Sequence, residues 1–206
     1  MVQSIQAGEL TLHDVKTKFG LRETQDPAFF LEWQHNLPEL TEQERQALDQ
    51  LKSNFLYLGE YPMSEEAVKL VVLSPLLSMA GFFSPPFHLR TEASVQLALE
   101  DEDEIVRGRI DVLVLKDQFW VLVVEAKKRG FSLDDAIAQA LAYMISSPNQ
   151  PAFGFATNGS DFIFLKSTQQ PEPQFALSDQ FGLRRQQNEL YSVLEVLKHI
   201  REELKS

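Results

Sequence analysis

Ile110-Asp111-Val112-Leu113-Val114-Leu115, followed after a short polar link by Phe119-Trp120-Val121-Leu122-Val123-Val124-Glu125-Ala126-Lys127, is the stretch that decides the fold. Both runs are rich in β-branched and aromatic residues, and Lys116-Asp117-Gln118 between them predicts a hairpin. The second run is almost continuously apolar, as expected of a strand covered on both faces. Residues two apart on a strand point the same way, so Glu125 and Lys127 share a face. Hairpin pairing brings Asp111 onto the neighbouring strand. Two carboxylates and one ammonium therefore converge where a buried hairpin ends, a place where charge is expected to be paired or bound to a metal. Hard oxygen donors suit Mg²⁺, which keeps waters and takes one or two protein carboxylates, with Mn²⁺ able to stand in its place. Such an ion polarises a phosphoryl oxygen and acidifies a bound water, and a lysine beside it can orient that water or stabilise developing charge.

The flanks supply the layers around this hairpin. Before it, Ser64 caps a predicted helix whose apolar stripe is Val68, Val71, Val72, Leu76 and Met79, broad enough for burial against a sheet. Pro75 is expected to kink or divide that helix, and Gly81 to stop it. Ala93–Leu99 predicts a strand. After the hairpin, a helix from Leu133 to Ser146 is capped by Ser132 and ended by Pro148 and Pro151. Phe153–Thr157 and Phe162–Lys166 are strands joined by the turn Asn158-Gly159-Ser160-Asp161. Residues 188–204 form a last helix with Leu190, Val193, Leu194, Leu197 and Ile200 on one side. From residue 62 the order is α-β-β-β-α-β-β, an α/β fold with a mixed central sheet flanked by helices. Residues 1–60 read as a helical extension packed on this core: Thr41 and Glu44 form a capping box ahead of Ala47, Leu48, Leu51, Phe55 and Leu58, while Phe29, Phe30 and Trp33 anchor the segment. Residues 61–206 form the second unit, which carries the hairpin and the C-terminal helix.

Composition narrows the chemistry. The 206 residues include no cysteine, which removes disulfides, thiolate metal sites and a cysteine nucleophile. The four histidines are scattered singly, so a zinc site is not expected. The longest apolar stretch, Leu70–Phe83, is too short and too interrupted to span a bilayer, and the first residues have no signal-peptide pattern, so a cytoplasmic protein is expected. A net charge of −11 opposes non-specific nucleic-acid binding, so any grip on phosphates has to be local. Arg107, Arg109, Lys128 and Arg129 bracket the hairpin and are the candidates for it.

Ile110-Asp111 with Val124-Glu125-Ala126-Lys127 resembles the core of the PD-(D/E)xK nuclease superfamily. Three further stretches are similar to the N-terminal nuclease domain of type I restriction enzyme R subunits: Ser64-Glu65-Glu66 leading to Ser74-Pro75-Leu76-Leu77, Gln139 to Tyr143, and Ala156-Thr157-Asn158-Gly159. Residues 1–60 further resemble the start of small stand-alone R-subunit-like proteins of cyanobacterial type. The resemblance implies a restriction-endonuclease-like core with Asp111 and Glu125 as metal ligands and Lys127 as the catalytic lysine. It implies that Glu65 approaches the metal from the first helix and that Gln139 and Tyr143 flank the site, contacting substrate or ordering Lys127. From the basic patch around the hairpin, Arg109 and Lys128 are expected to contact substrate.

The implied function is Mg²⁺-dependent endonucleolytic hydrolysis of DNA by a metal-activated water. Two other readings stay open: a catalytically silent module that binds nucleic acid or protein, and a hydrolase of another phosphate ester. No GxxxxGK[ST] motif occurs, so ATP-driven translocation is not expected. DNA is the expected partner, and a protein partner or a second copy of the chain is compatible with the apolar stripe of the last helix.

Overall fold

The computed structural model describes residues 3–98, 104–116, 119–127 and 132–205. Its sheet is built around the predicted hairpin. Strand β4 (Glu104–Lys116) pairs antiparallel with β5 (Phe119–Ala126), and β5 pairs parallel with β6 (Ala152–Thr157). Strand β7 (Asp161–Thr168) follows antiparallel, then β8 (Gln174–Leu177). The long strand β3 (Phe87–Ala98) lies antiparallel along β4. Short β9 (Phe181–Gly182) pairs with β7.

The regular structure before residue 61 is mostly helical, as expected, and the segment also adds two short strands to the sheet. Strand β1 (Gln3–Gln6) adds to β4 in parallel, and β2 (Arg22–Glu23) pairs with β8. Between and after them come α1 (Leu12–Lys18) and α2 (Glu42–Leu58), each begun by a reciprocal capping box, Thr11 with Asp14 and Thr41 with Glu44. Neither strand carries a clear alternation over four residues or more, so both form because a partner edge is already present.

Helices cover both faces. On one face, α2 packs with α3 (Glu65–Val68), a π-helical stretch Lys69–Leu73, α4 (Ser74–Met79) and α6 (Leu190–Glu203). The helical segment is divided next to Pro75, as expected. The π stretch lies just ahead of it, and Pro75 takes one of the first positions of α4, where its missing N–H does least harm. On the other face lies α5 (Leu133–Ile145), covered in turn by α1 and the Ala7–Glu9 turn. Its alanines 136, 138, 140 and 142 are all buried, and small side chains let the helix lie close to the strands.

Strand alternation sorts the sheet residues between the two cores. Val112, Val114, Phe153, Phe155, Phe162 and Phe164 face α2, α4 and α6, whereas Leu113, Leu115, Ala156, Ile163 and Leu165 face α5. Phe155 is at the centre of the first core, its ring 4.8 Å from Phe164 and 6.0 Å from Phe162. Phe155→Ala removes a ring with no exposure, and it is expected to destabilise the fold by about 3–5 kcal/mol in denaturant titration. A loss below about 1 kcal/mol would contradict this placement.

Candidate active site

One edge of β4 is taken by β3 along its length. The other edge is shared: β1 pairs with residues 104–107 and β5 with residues 112–116. Between these two partners, Gly108, Arg109, Ile110 and Asp111 face no strand on that edge. This interruption opens a pocket of about 1080 Å³ whose lining includes Glu65, Arg107, Arg109, Asp111, Glu125, Lys127, Gln139 and Tyr143.

The register puts the two acids together. Val112 pairs with Val124, so the next step of the ladder sets Asp111 opposite Glu125. The strand also turns here. Ile110 belongs to the core under α5 and Val112 to the opposite core, so ordinary alternation is broken at Asp111. The β3–β4 ladder skips the same place, and Glu92, the residue across from Asp111, has a left-handed φ of 53°. A non-glycine residue in that region stores about 1–3 kcal/mol of strain, which tends to be kept at functional positions.

Each acid has one cation beside it. Asp111 Oδ1 accepts from Lys69 Nζ at 2.5 Å, and Oδ2 accepts from the Ala126 N–H at 2.8 Å. Glu125 Oε1 accepts from Lys127 Nζ at 2.9 Å, while Glu125 Oε2 is buried with no hydrogen-bond partner. Asp111 is 7 % exposed and Glu125 only 1 %. Burial pushes the Glu125 carboxyl well above the usual carboxylate range, the neighbouring Asp111 charge adds to this, and Lys127 offsets part of it. Burial likewise raises Asp111 despite its bonds to Lys69 and Ala126. Lys69 is held above the ordinary lysine value, because Asp111 and Glu65 outweigh the burial that opposes its charge.

Lys127 is fixed from several sides. Its backbone N–H donates to Thr157 O at 2.8 Å, at the start of the predicted turn. Gly159 in that turn, at φ 82°, lies so near α3 that a Cβ would be 2.9 Å from Val68 Cγ2. Lys127 Nζ also donates to Gln139 Oε1 at 2.6 Å. Gln139 Nε2 donates to Tyr143 Oη at 2.8 Å, and Tyr143 Oη donates to the Arg109 carbonyl at 3.0 Å, within the stretch of β4 that lacks a strand partner. All these donors run in one direction, from the ammonium to the backbone. Burial, with the Glu125 charge behind it, raises the Tyr143 phenol and keeps it a neutral donor.

Asp111, Glu125, Lys127, Gln139 and Tyr143 thus meet at one place. Glu65 lines the same pocket and pairs with Lys69 at 3.0 Å. Arg107 and Arg109 are exposed at its rim. Lys128 and Arg129 lie outside the described residues. Sequence reasoning missed Lys69, whose position four residues after Glu65 reads as a routine helix-surface pair. It also missed Gly108, where a Cβ would collide with the Tyr143 hydroxyl.

The donor set fits a hard divalent ion. The orphaned Glu125 oxygen needs a positive partner, and Asp111 stands opposite it. Among the described residues no three His, Asp or Glu side chains group as a metal cluster. Asp111 and Glu125 are the two carboxylates that would hold an ion here, with water as its other ligands.

The raised Glu125 value sets a pH signature. A carboxyl whose folded value lies above its unfolded value of 4.5 destabilises the fold as pH rises through the interval between the two, by about 1.4 kcal/mol per unit of difference. In metal-free buffer Glu125→Gln is therefore expected to be more stable than wild type near pH 8, with the advantage shrinking as pH falls towards the ordinary glutamate range. Thermal melts across pH check this, and a Gln variant less stable at pH 8 would contradict it.

Among solved structures, the chain is similar to one described as a fragment of an HsdR subunit of a type I restriction enzyme from Vibrio vulnificus YJ016. The identity is 22%, over 59% of this chain and 24% of that one, with a TM-score of 0.42. This chain thus spans about a quarter of that structure. No curated protein sequence matches it. Among the described residues no helix is long and apolar enough to cross a membrane. The family described as "Type I restriction enzyme R protein N terminus" matches residues 22–173, most of the sequence, and the chain belongs to that family.

Proposed function

We propose that this chain is a Mg²⁺-dependent endonuclease domain that hydrolyses DNA phosphodiester bonds. One observation carries the reading: Asp111 and Glu125 directly follow the last β4–β5 ladder pair, Val112 with Val124, with a buried Glu125 oxygen left without a partner and Lys127 clamped beside it.

Asp111 and Glu125 would hold the ion, and Glu65 stands at the same pocket to meet one of its waters. When bound, the ion supplies a Lewis acid for the scissile phosphoryl oxygen and lowers the pKa of a water. The chain's own residues do the rest. Lys127, held between Glu125 Oε1 and Gln139 Oε1, presents its ammonium where negative charge develops on the phosphate. Gln139 and Tyr143 keep that ammonium from swinging away, because their hydrogen bonds run without a gap to the Arg109 backbone. Arg107 and Arg109 at the rim give local positive charge in a chain of net charge −11, where a phosphate backbone would be received. Family membership supports a nuclease-like module with DNA as its substrate.

Plasmid nicking with Mg²⁺ or Mn²⁺ tests the proposal. Wild type is expected to nick, and Lys127→Ala and Asp111→Asn to lose about 10²-fold or more while keeping wild-type circular dichroism. Absence of cleavage by folded wild type with either ion would overturn it in favour of a silent binding module.

A further inference from the structure

Lys69 belongs to none of the motifs around the hairpin, yet three carboxylates converge on it. Its Nζ lies 2.5 Å from Asp111 Oδ1, 3.0 Å from Glu65 Oε1 and 3.5 Å from Glu92 Oε1. Glu65 and Lys69 alone would be an ordinary pair one helical turn apart. Two features set the arrangement apart. Asp111 is nearly buried and faces the second acid, and Glu92 adopts its left-handed conformation directly across the ladder from Asp111. The backbone is distorted on two neighbouring elements at this point, since Lys69 also begins the π-helical stretch.

We propose that Lys69 is a built-in counter-ion of the metal site: its ammonium holds Asp111 and Glu65 together in the metal-free protein, and a divalent cation displaces it from Asp111. The proposal rests on the metal-site reading above and adds a residue that sets how much metal the site requires.

The competition follows from the oxygens available. Asp111 Oδ2 already accepts from the Ala126 N–H, which leaves Oδ1, the oxygen under Lys69, as the more available donor to an ion that Asp111 and Glu125 would hold. An ammonium and a divalent ion on one partly buried oxygen repel each other strongly. Glu92 gives the displaced ammonium somewhere to go. It is already within 3.5 Å, and its side chain is 55 % exposed at the outer edge of the cluster. Without Lys69, the metal-free protein would carry two adjacent buried acids with only Lys127 to balance them. With it, the empty site is partly compensated, and binding takes place only when free metal is high enough to outcompete an internal cation.

Two measurements test this, and neither depends on cleavage. In calorimetric titration with Ca²⁺ or Mn²⁺, Lys69→Met is expected to bind about tenfold more tightly than wild type or better, and Lys69→Arg no more tightly than wild type. The Met variant should also melt at lower temperature than wild type without metal and recover in saturating Ca²⁺. In wild type alone, which avoids any folding defect of the variant, amine-reactive labelling read by mass spectrometry should show Lys69 becoming several-fold more reactive on Ca²⁺ saturation. Lys166, paired with Glu32 elsewhere, should not change. Binding that Asp111→Asn abolishes but that is equal in wild type and Lys69→Met, with Lys69 labelling indifferent to Ca²⁺, would overturn the counter-ion role and leave the metal site standing. No binding dependent on Asp111 in any of these proteins would overturn both.

Discussion

Two carboxylates set side by side in a protein interior repel each other and lose their hydration together, and the structure around this site is organised to tolerate that. Asp111 and Glu125 are opposed because the hairpin register requires it. Each is neutralised from a different layer: Lys69 reaches Asp111 from the helices on one face, and Lys127 lies beside Glu125 and is steadied by α5 on the other. The compensation is incomplete, since one Glu125 oxygen has no partner and both acids hold their protons more tightly than usual. That residual deficit is what a small hard cation would remove.

The rest of the fold keeps the deficit in place. Helix α5 is buried on all sides, pressed to the sheet by its alanines and roofed by the N-terminal segment, so Gln139 and Tyr143 have little freedom. Gly108 admits the Tyr143 hydroxyl to the backbone of β4, and Gly159 admits the turn after β6 to the helix that carries Glu65 and Lys69. Both glycines serve close approach: a bulkier residue at 108 would push on the Tyr143 hydroxyl, and one at 159 on Val68 and Phe55. The N-terminal segment has a part in the site too, because β1 ends where the pocket begins, with Gln6 and Gly8 in its wall.

Much of this was legible in the sequence because it is local. Strand alternation placed Glu125 and Lys127 on one face, the short link placed Asp111 opposite, and the four-residue spacing of Gln139 and Tyr143 placed both on one side of α5. Ser64, Ser132 and the Asn158-Gly159 turn marked their elements correctly. What escaped depends on contacts distant in sequence. Strands β1 and β2 are too short for a pattern and form only against β4 and β8. Lys69 looks like a surface lysine until Asp111, 42 residues away, is seen beneath it. Nothing in the sequence around Glu92 announces a left-handed residue, and Pro75, read as kinking or dividing its helix, sits where α4 begins, behind a π-helical stretch that the sequence does not announce.

The account turns on whether one divalent ion sits between the acids at 111 and 125. Anomalous diffraction from crystals soaked in Mn²⁺ addresses this most directly. A single strong peak bonded to carboxylate oxygens of both Asp111 and Glu125, at about 2.0–2.3 Å, is the predicted result. Well-ordered crystals at saturating Mn²⁺ with no peak there, or with the ion on surface carboxylates alone, would contradict it.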